Sequence, residues 1–173
     1  MKKRLLKIAA IIMAIIAVTS VTGCGMQPAT VPTENKVKIS EFEAKATGAK
    51  AICKTLKKKE FITDDNCIKT NADLIGASEG YRMDKVRVNG SEFSVEIYEF
   101  KDTTNEQAKK VTESVKKDGY FTLFGKKVSY AYMSENGKYL LIYPDEKSVS
   151  DKNEDKENVE RKNEVLKVVN SAK

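Results

Sequence analysis

A mainly apolar run follows the first four residues, later segments carry apolar residues at helical or alternating spacing, and the sequence closes in a charged stretch. Leu5 to Val21 is apolar apart from Lys7, Thr19 and Ser20. Gly25 to Lys38 has no apolar period and carries Pro28 and Pro32, which predicts a flexible tether. From Ser40 the spacing turns helical. Phe42, Ala46, Ala49, Cys53 and Leu56 fall on one stripe, and Ser40 with Glu43 has the form of a capping box. Lys57, Lys58 and Lys59 close that helix, where cations favour its dipole. Thr63 to Gly80, rich in Asp, Asn and Gly, reads as irregular.

Alternation then takes over. Lys85 to Val88 and Ser91 to Phe100 flank Asn89-Gly90, a pair suited to the positive φ values of a type I′ turn. A two-residue turn sets Val86 opposite Phe93 and Arg87 opposite Glu92. One face then carries Val86, Val88, Phe93, Val95 and Ile97, and the other Lys85, Arg87, Glu92 and Glu96. Thr103 and Glu106 form a second capping box for a helix over 104–118. Its stripe is Ala108, Val111, Thr112 and Val115, and Gly119 suits the position after its end. Strands follow at Tyr120 to Phe124, Lys127 to Ser134 and Lys138 to Tyr143, with turns at Gly125 and Asn136-Gly137. That last turn would pair Met133 with Leu140, Ala131 with Ile142 and Tyr132 with Leu141. Neither face of the pair is polar, so both need cover. Residues 145–173 are mostly charged, with Val159, Leu166 and Val169 giving a weak stripe, and predict a marginal helix from about Asn158.

These elements define an α+β class: an antiparallel sheet of about five strands with two to three helices packed mainly on one face. The predicted organisation is a signal over 1–23, a tether over 24–39, an α+β domain over 40–144 and a charged C-terminal segment over 145–173.

The first segment changes the picture of charge and location. The whole chain carries a formal +6. Lys2, Lys3, Arg4 and Lys7 all lie in the first 23 residues, so after Gly23 only 27 basic side chains face 25 acidic ones. That near balance lacks the electrostatic footprint of a nucleic-acid binder. A basic start, a short apolar core and small residues before a cysteine have the form of a secretory signal. Val21-Thr22-Gly23-Cys24 resembles the lipobox of bacterial lipoproteins, and the Lys-rich chain resembles those of Gram-positive envelopes. The resemblance implies diacylglyceryl transfer to Cys24, cleavage before it, and a membrane-anchored protein on the extracytoplasmic face. Two acyl chains suffice for stable anchoring where one is marginal. The later layout, with Val95-Glu96-Ile97-Tyr98-Glu99-Phe100-Lys101-Asp102 before an Ala-containing helix, is similar to small, uncharacterised Gram-positive lipoproteins, and this likeness implies no activity.

Catalytic and metal chemistry find little here. The chain has no His, which removes the commonest general base and neutral metal ligand. No nucleophile elbow, Ser-x-x-Lys motif or phosphate-binding Gly loop is present. Asp64, Asp65, Asn66, Asn71 and Asp73 lack the order of a calcium loop and read as turn formers. Glu92, Glu96 and Glu99 share one strand, with Arg87 and Lys85 placed to pair with the first two. Cys53 and Cys67 remain as a candidate disulfide with 13 residues between them, or as two free thiols. Tyr130, Tyr132, Tyr139 and Tyr143 form a candidate binding surface or, covered by a helix, a core. The expectation is a non-catalytic binding module without cofactor or metal, whose partner is an envelope protein or cell-wall component. The alternatives are a carboxylate-dependent cell-wall hydrolase and a small-solute-binding accessory lipoprotein.

Overall fold

The computed structural model describes residues 47–61 and 67–173. The signal, the lipobox Cys24, the tether and the Ser40–Glu43 capping box lie outside these residues. The fold is α+β. Helices are α1 (Ala49–Lys58), α2 (Glu106–Asp118) and α3 (Lys156–Ser171). Strands are β1 (Cys67–Lys69), β2 (Glu79–Val88), β3 (Ser91–Glu99), β4 (Phe121–Leu123), β5 (Lys126–Val128), β6 (Ala131–Met133) and β7 (Tyr139–Ile142). Five strands make one antiparallel sheet in the order β1-β2-β3-β7-β6, and β4 with β5 forms a separate hairpin.

Turn chemistry fixes the β2–β3 register. Asn89 and Gly90 take φ values of 44° and 77°, the mirror-image geometry that suits a right-twisted hairpin. Val86 accordingly faces Phe93, and Arg87 faces and ion-pairs with Glu92. Strand β2 runs well before Lys85. A bulge between Met83 and Val86, with Lys85 at φ 56°, absorbs the change of register, so strict alternation breaks there. The segment from Thr63 to Gly80 also holds β1 and a short 3-10 helix, Asp73–Ile75, within what its composition marks as loop.

The β6–β7 register is as expected, with Met133 opposite Leu140, Ala131 opposite Ile142 and Tyr132 opposite Leu141. The connection differs. The Gly137 amide donates to the Ser134 carbonyl and the Ser134 amide to the Tyr139 carbonyl. This four-residue loop shares its midpoint with a two-residue turn and so preserves the register. The predicted strand from Lys127 to Ser134 is interrupted at Tyr130, φ 56°, where the chain leaves the small hairpin for the main sheet.

Two of the three helices cover one sheet face. Ile52, Cys53 and Leu56 of α1 and Val165, Val168 and Val169 of α3 pack with Met83, Val95, Ile97, Leu141 and Tyr143. The opposite face, with Tyr98, Leu140 and Ile142, packs against Ala108, Val111 and Val115 of α2 and Phe121 of β4. The charged C-terminal segment thus belongs to the same core, and its helix begins two residues before Asn158. Its buried face is Asn158, Arg161, Val165, Val168 and Val169, rather than Val159 and Leu166, which are only half-buried.

Two helix starts depart from the sequence reading. Helix α1 begins at Ala49, because Gly48 holds φ 85° and ψ 158° outside the helical region. A Cβ at Gly48 would stand 3.2 Å from the Glu99 carboxylate, which accepts the Ala49 amide at 3.3 Å. Helix α2 is capped by Asn105, not Thr103: Asn105 Oδ1 accepts the amides of Gln107 and Ala108 at 2.8 and 3.3 Å. Asn105→Ala should therefore cost about 1 kcal/mol, and Thr103→Ala less than about 0.5 kcal/mol, in urea denaturation.

Candidate functional site

The four tyrosines do not form one open surface. Tyr139 and Tyr143 each have 0% exposure. The Tyr139 hydroxyl donates to the Lys173 carbonyl at 2.5 Å and accepts the Gly48 amide at 3.1 Å, tying the start of α1 to the residues after α3. Tyr143 packs edge-on to Phe93, ring centroids 4.9 Å apart. Both belong to the core because α1 and α3 cover the face they occupy. Tyr130 and Tyr132 stay half-buried at the sheet edge.

That edge carries the groove. A depression of about 670 Å³ runs beside β6, walled by Val115, Lys116 and Gly119 from α2 and its cap, and by Leu166 and Asn170 from α3. Tyr130, Ala131, Tyr132, Met133 and Glu135 form its floor. Strand β6 ends the sheet, so the backbone groups that point away from β7 face this groove. The Tyr143 amide donates to the Tyr130 carbonyl, and the Ser134 amide to the Tyr139 carbonyl. By antiparallel alternation, Tyr130, Tyr132 and Ser134 then aim their backbone at β7, while Ala131 and Met133 aim theirs outward. The Ala131 amide is used by the Gly119 carbonyl at 3.2 Å, and the Glu135 amide by Asn170 Oδ1 at 3.2 Å. Between them the amide of Met133 and the carbonyls of Ala131 and Met133 face the groove. Apolar side chains flank this short edge. Its charged lining residues, Lys116 and Glu135, are of opposite sign.

A second cleft of about 600 Å³ lies between α2 and the ends of β3 and β7, lined by Lys101, Lys109, Lys116 and Lys138 with Glu99 and Glu113. Lys109 already pairs with Glu113 at 4.0 Å. The carboxylates of β3 have structural partners. Glu92 pairs with Arg87, Glu96 accepts the Tyr98 hydroxyl at 2.7 Å, and Glu99 serves the start of α1. Asn71 accepts the Asp73 amide at 3.2 Å, the Asx turn expected of that loop, whereas Asp64, Asp65 and Asn66 lie outside the described residues. Among the described residues, no three His, Cys, Asp or Glu side chains converge as a metal site. Cys53 and Cys67 are free thiols, Cys53 within the core and Cys67 packed against it.

Polar groups are buried under α3. Asp145, 3% exposed, accepts Asn158 Nδ2 at 2.8 Å, and Asn158 Oδ1 accepts Asn89 Nδ2 at 3.2 Å. The hairpin tip is thereby pinned to the C-terminal segment. Arg161, 0% exposed, donates Nη1 to the Phe61 carbonyl at 2.9 Å and lies over the Phe61 ring. Its Nε and Nη2 find no partner among the described residues, nor does the Tyr143 hydroxyl. Burial draws the Arg161 guanidinium below its usual range, partly offset by Tyr143.

Several lining residues were not legible as such. Met133 and Leu166 read as ordinary apolar stripe positions. Their place in a groove depends on β7 lying between β3 and β6, and on α3 docking, and no local spacing encodes either. In comparisons with known proteins, no family model matches the chain, and neither does a curated protein or a solved structure.

Burial holds the hydroxyls of Tyr81, Tyr98 and Tyr143 neutral above the ordinary tyrosine value, with neighbouring Glu79 and Glu96 adding to the effect on the first two. Tyr81 is pushed up to about 12. A raised value favours the protonated, folded form, so this contribution is complete below about pH 10 and lost as the pH climbs past it. Denaturation midpoints should stay level from about pH 8 to 10 and fall above that. A midpoint that rose with alkaline pH would contradict the assignment.

Proposed function

We propose that this chain is a lipid-anchored extracytoplasmic binding module that takes up an extended polypeptide segment along the β6 edge. The observation that carries the reading is the groove: a strand edge that is open and has unused backbone groups among the described residues, flanked by Met133, Tyr132, Val115 and Leu166. An added strand would exchange backbone hydrogen bonds with Met133 and place an apolar side chain against Leu166. Because β6 has only three residues, the bound stretch is short. The balanced charges at Lys116 and Glu135 favour no net charge in the ligand. Such a segment would come from an envelope protein, which the lipid on Cys24 would bring within reach.

Two experiments test the two halves of this proposal. Replacing Cys24 with Ser should abolish incorporation of labelled fatty acid and block cleavage before residue 24, read by labelling and by mass spectrometry. Fatty-acid incorporation that survives the substitution would remove the anchor from the proposal. For the groove, Leu166→Lys and Met133→Thr are partly exposed positions whose change leaves the main core in place. Each should weaken binding to apolar-containing peptides on an array at least about tenfold, the effect of losing one anchoring contact. The melting temperature should shift by only a few degrees. Peptide binding that survives both substitutions would refute the groove.

A further inference from the structure

Cys53 and Cys67 come from different layers of the molecule. Cys53 lies in the middle of α1 with 0% exposure, inside the core beneath that helix. Cys67 opens β1, opposite Met83 of β2, and is half-buried against the same core. Cys67 packs against the core cluster that holds Cys53, where α1 meets β1. Their surroundings differ. Contact with Cys67, then burial, pushes the Cys53 thiol far above its ordinary range. The Cys67 thiol is lowered, first by the hydrogen bond from Cys53 and also by the charge of Lys50, one turn earlier on α1. A half-buried thiol that ionises more easily, backed by a fully buried one that does not, is an ordered pair for thiol–disulfide exchange.

We propose that Cys53 and Cys67 close into a disulfide that staples α1 to the edge strand β1, and that exchange enters through Cys67. The oxidant is a disulfide carried by another molecule, protein or small. The Cys67 thiolate attacks one sulfur of that disulfide, forming a mixed disulfide and releasing the other sulfur as a thiolate. Cys53 passes its proton to a departing thiolate and attacks the Cys67 sulfur. The Cys53–Cys67 bond forms, and the second sulfur leaves. Two electrons and two protons pass to the oxidant, which ends as two thiols. The bond matters at this place because β1 is three residues long and pairs only with β2. Among the described residues its other edge is unpaired, and Ile68 beside Cys67 is 53% exposed. A short outer strand frays readily and can template unwanted pairing, and a covalent tie to a core helix prevents both.

The test uses the full chain purified from membranes in detergent. Alkylation without reductant, followed by peptide mass spectrometry, should leave Cys53 and Cys67 unmodified and joined in one cross-linked peptide pair. After reduction both should alkylate, and the melting temperature should drop by about 10 °C. Cys53→Ala and Cys67→Ala variants test the order of entry. With oxidised glutathione as probe, Cys67 alone should form the mixed disulfide at least about tenfold faster than Cys53 alone. If both thiols stay alkylatable after incubation of the wild-type chain with oxidised glutathione, the proposal fails. It fails equally if glutathione remains on Cys67 while Cys53 stays free, since the pair then cannot close. Equal rates for the two single-cysteine variants would overturn entry through Cys67. Thiol mapping on the wild-type chain decides bond formation even where a variant does not fold.

Discussion

The structure depends on strand β7 being buried on both sides. Tyr139, Leu140, Leu141 and Ile142 alternate between two cores, and none of them can turn to water. An antiparallel sheet with one wet face needs a single cover, whereas this one needs two. Helices α1 and α3 supply the first, and α2 with the β4–β5 hairpin supplies the second. The interruption at Tyr130 follows from the same demand. The chain must leave the small hairpin, which covers the second face, and enter the main sheet at its edge. The groove beside β6 is what remains where the two covers fail to meet around the last strand.

Beneath α3 the balance of forces is different. Valines supply the apolar burial, while Asn158 and Asp145 hold the hairpin tip through hydrogen bonds in a dry setting. Such bonds add little net stability, but leaving one unmade is costly, so they define one docking position rather than strengthen it. Arg161 opposes this economy. A buried guanidinium with one hydrogen bond among the described residues carries a desolvation cost that its partner offsets only in part. The docking of α3 therefore draws its strength from the buried valines and its position from the hydrogen bonds.

Local rules were legible wherever a short stretch of chain settles its own geometry. Asn89-Gly90 fixed the first hairpin, the symmetric loop around Asn136 and Gly137 fixed the last, and the stripe of α2 was read residue by residue. Reading failed where the deciding partner is distant. Asn105 replaces Thr103 as the cap because the chain enters α2 later than the Thr-x-x-Glu pattern implies. Strand β1 looks like a loop because its support comes from β2. The charged residues 145–173 conceal a core helix because its buried face includes Asn158 and Arg161, which no hydrophobic count would place inside. The tyrosines were divided by topology: Tyr139 and Tyr143 went under the helices, and Tyr130 and Tyr132 to the rim.

The late position of α3 in the chain has a consequence for how the protein is made. Ile97, Leu141 and Tyr143 lie under a lid that follows them in the chain, so a nascent polypeptide shows them to its surroundings until α3 has emerged. The packing of this sheet face is therefore completed only once α3 is made.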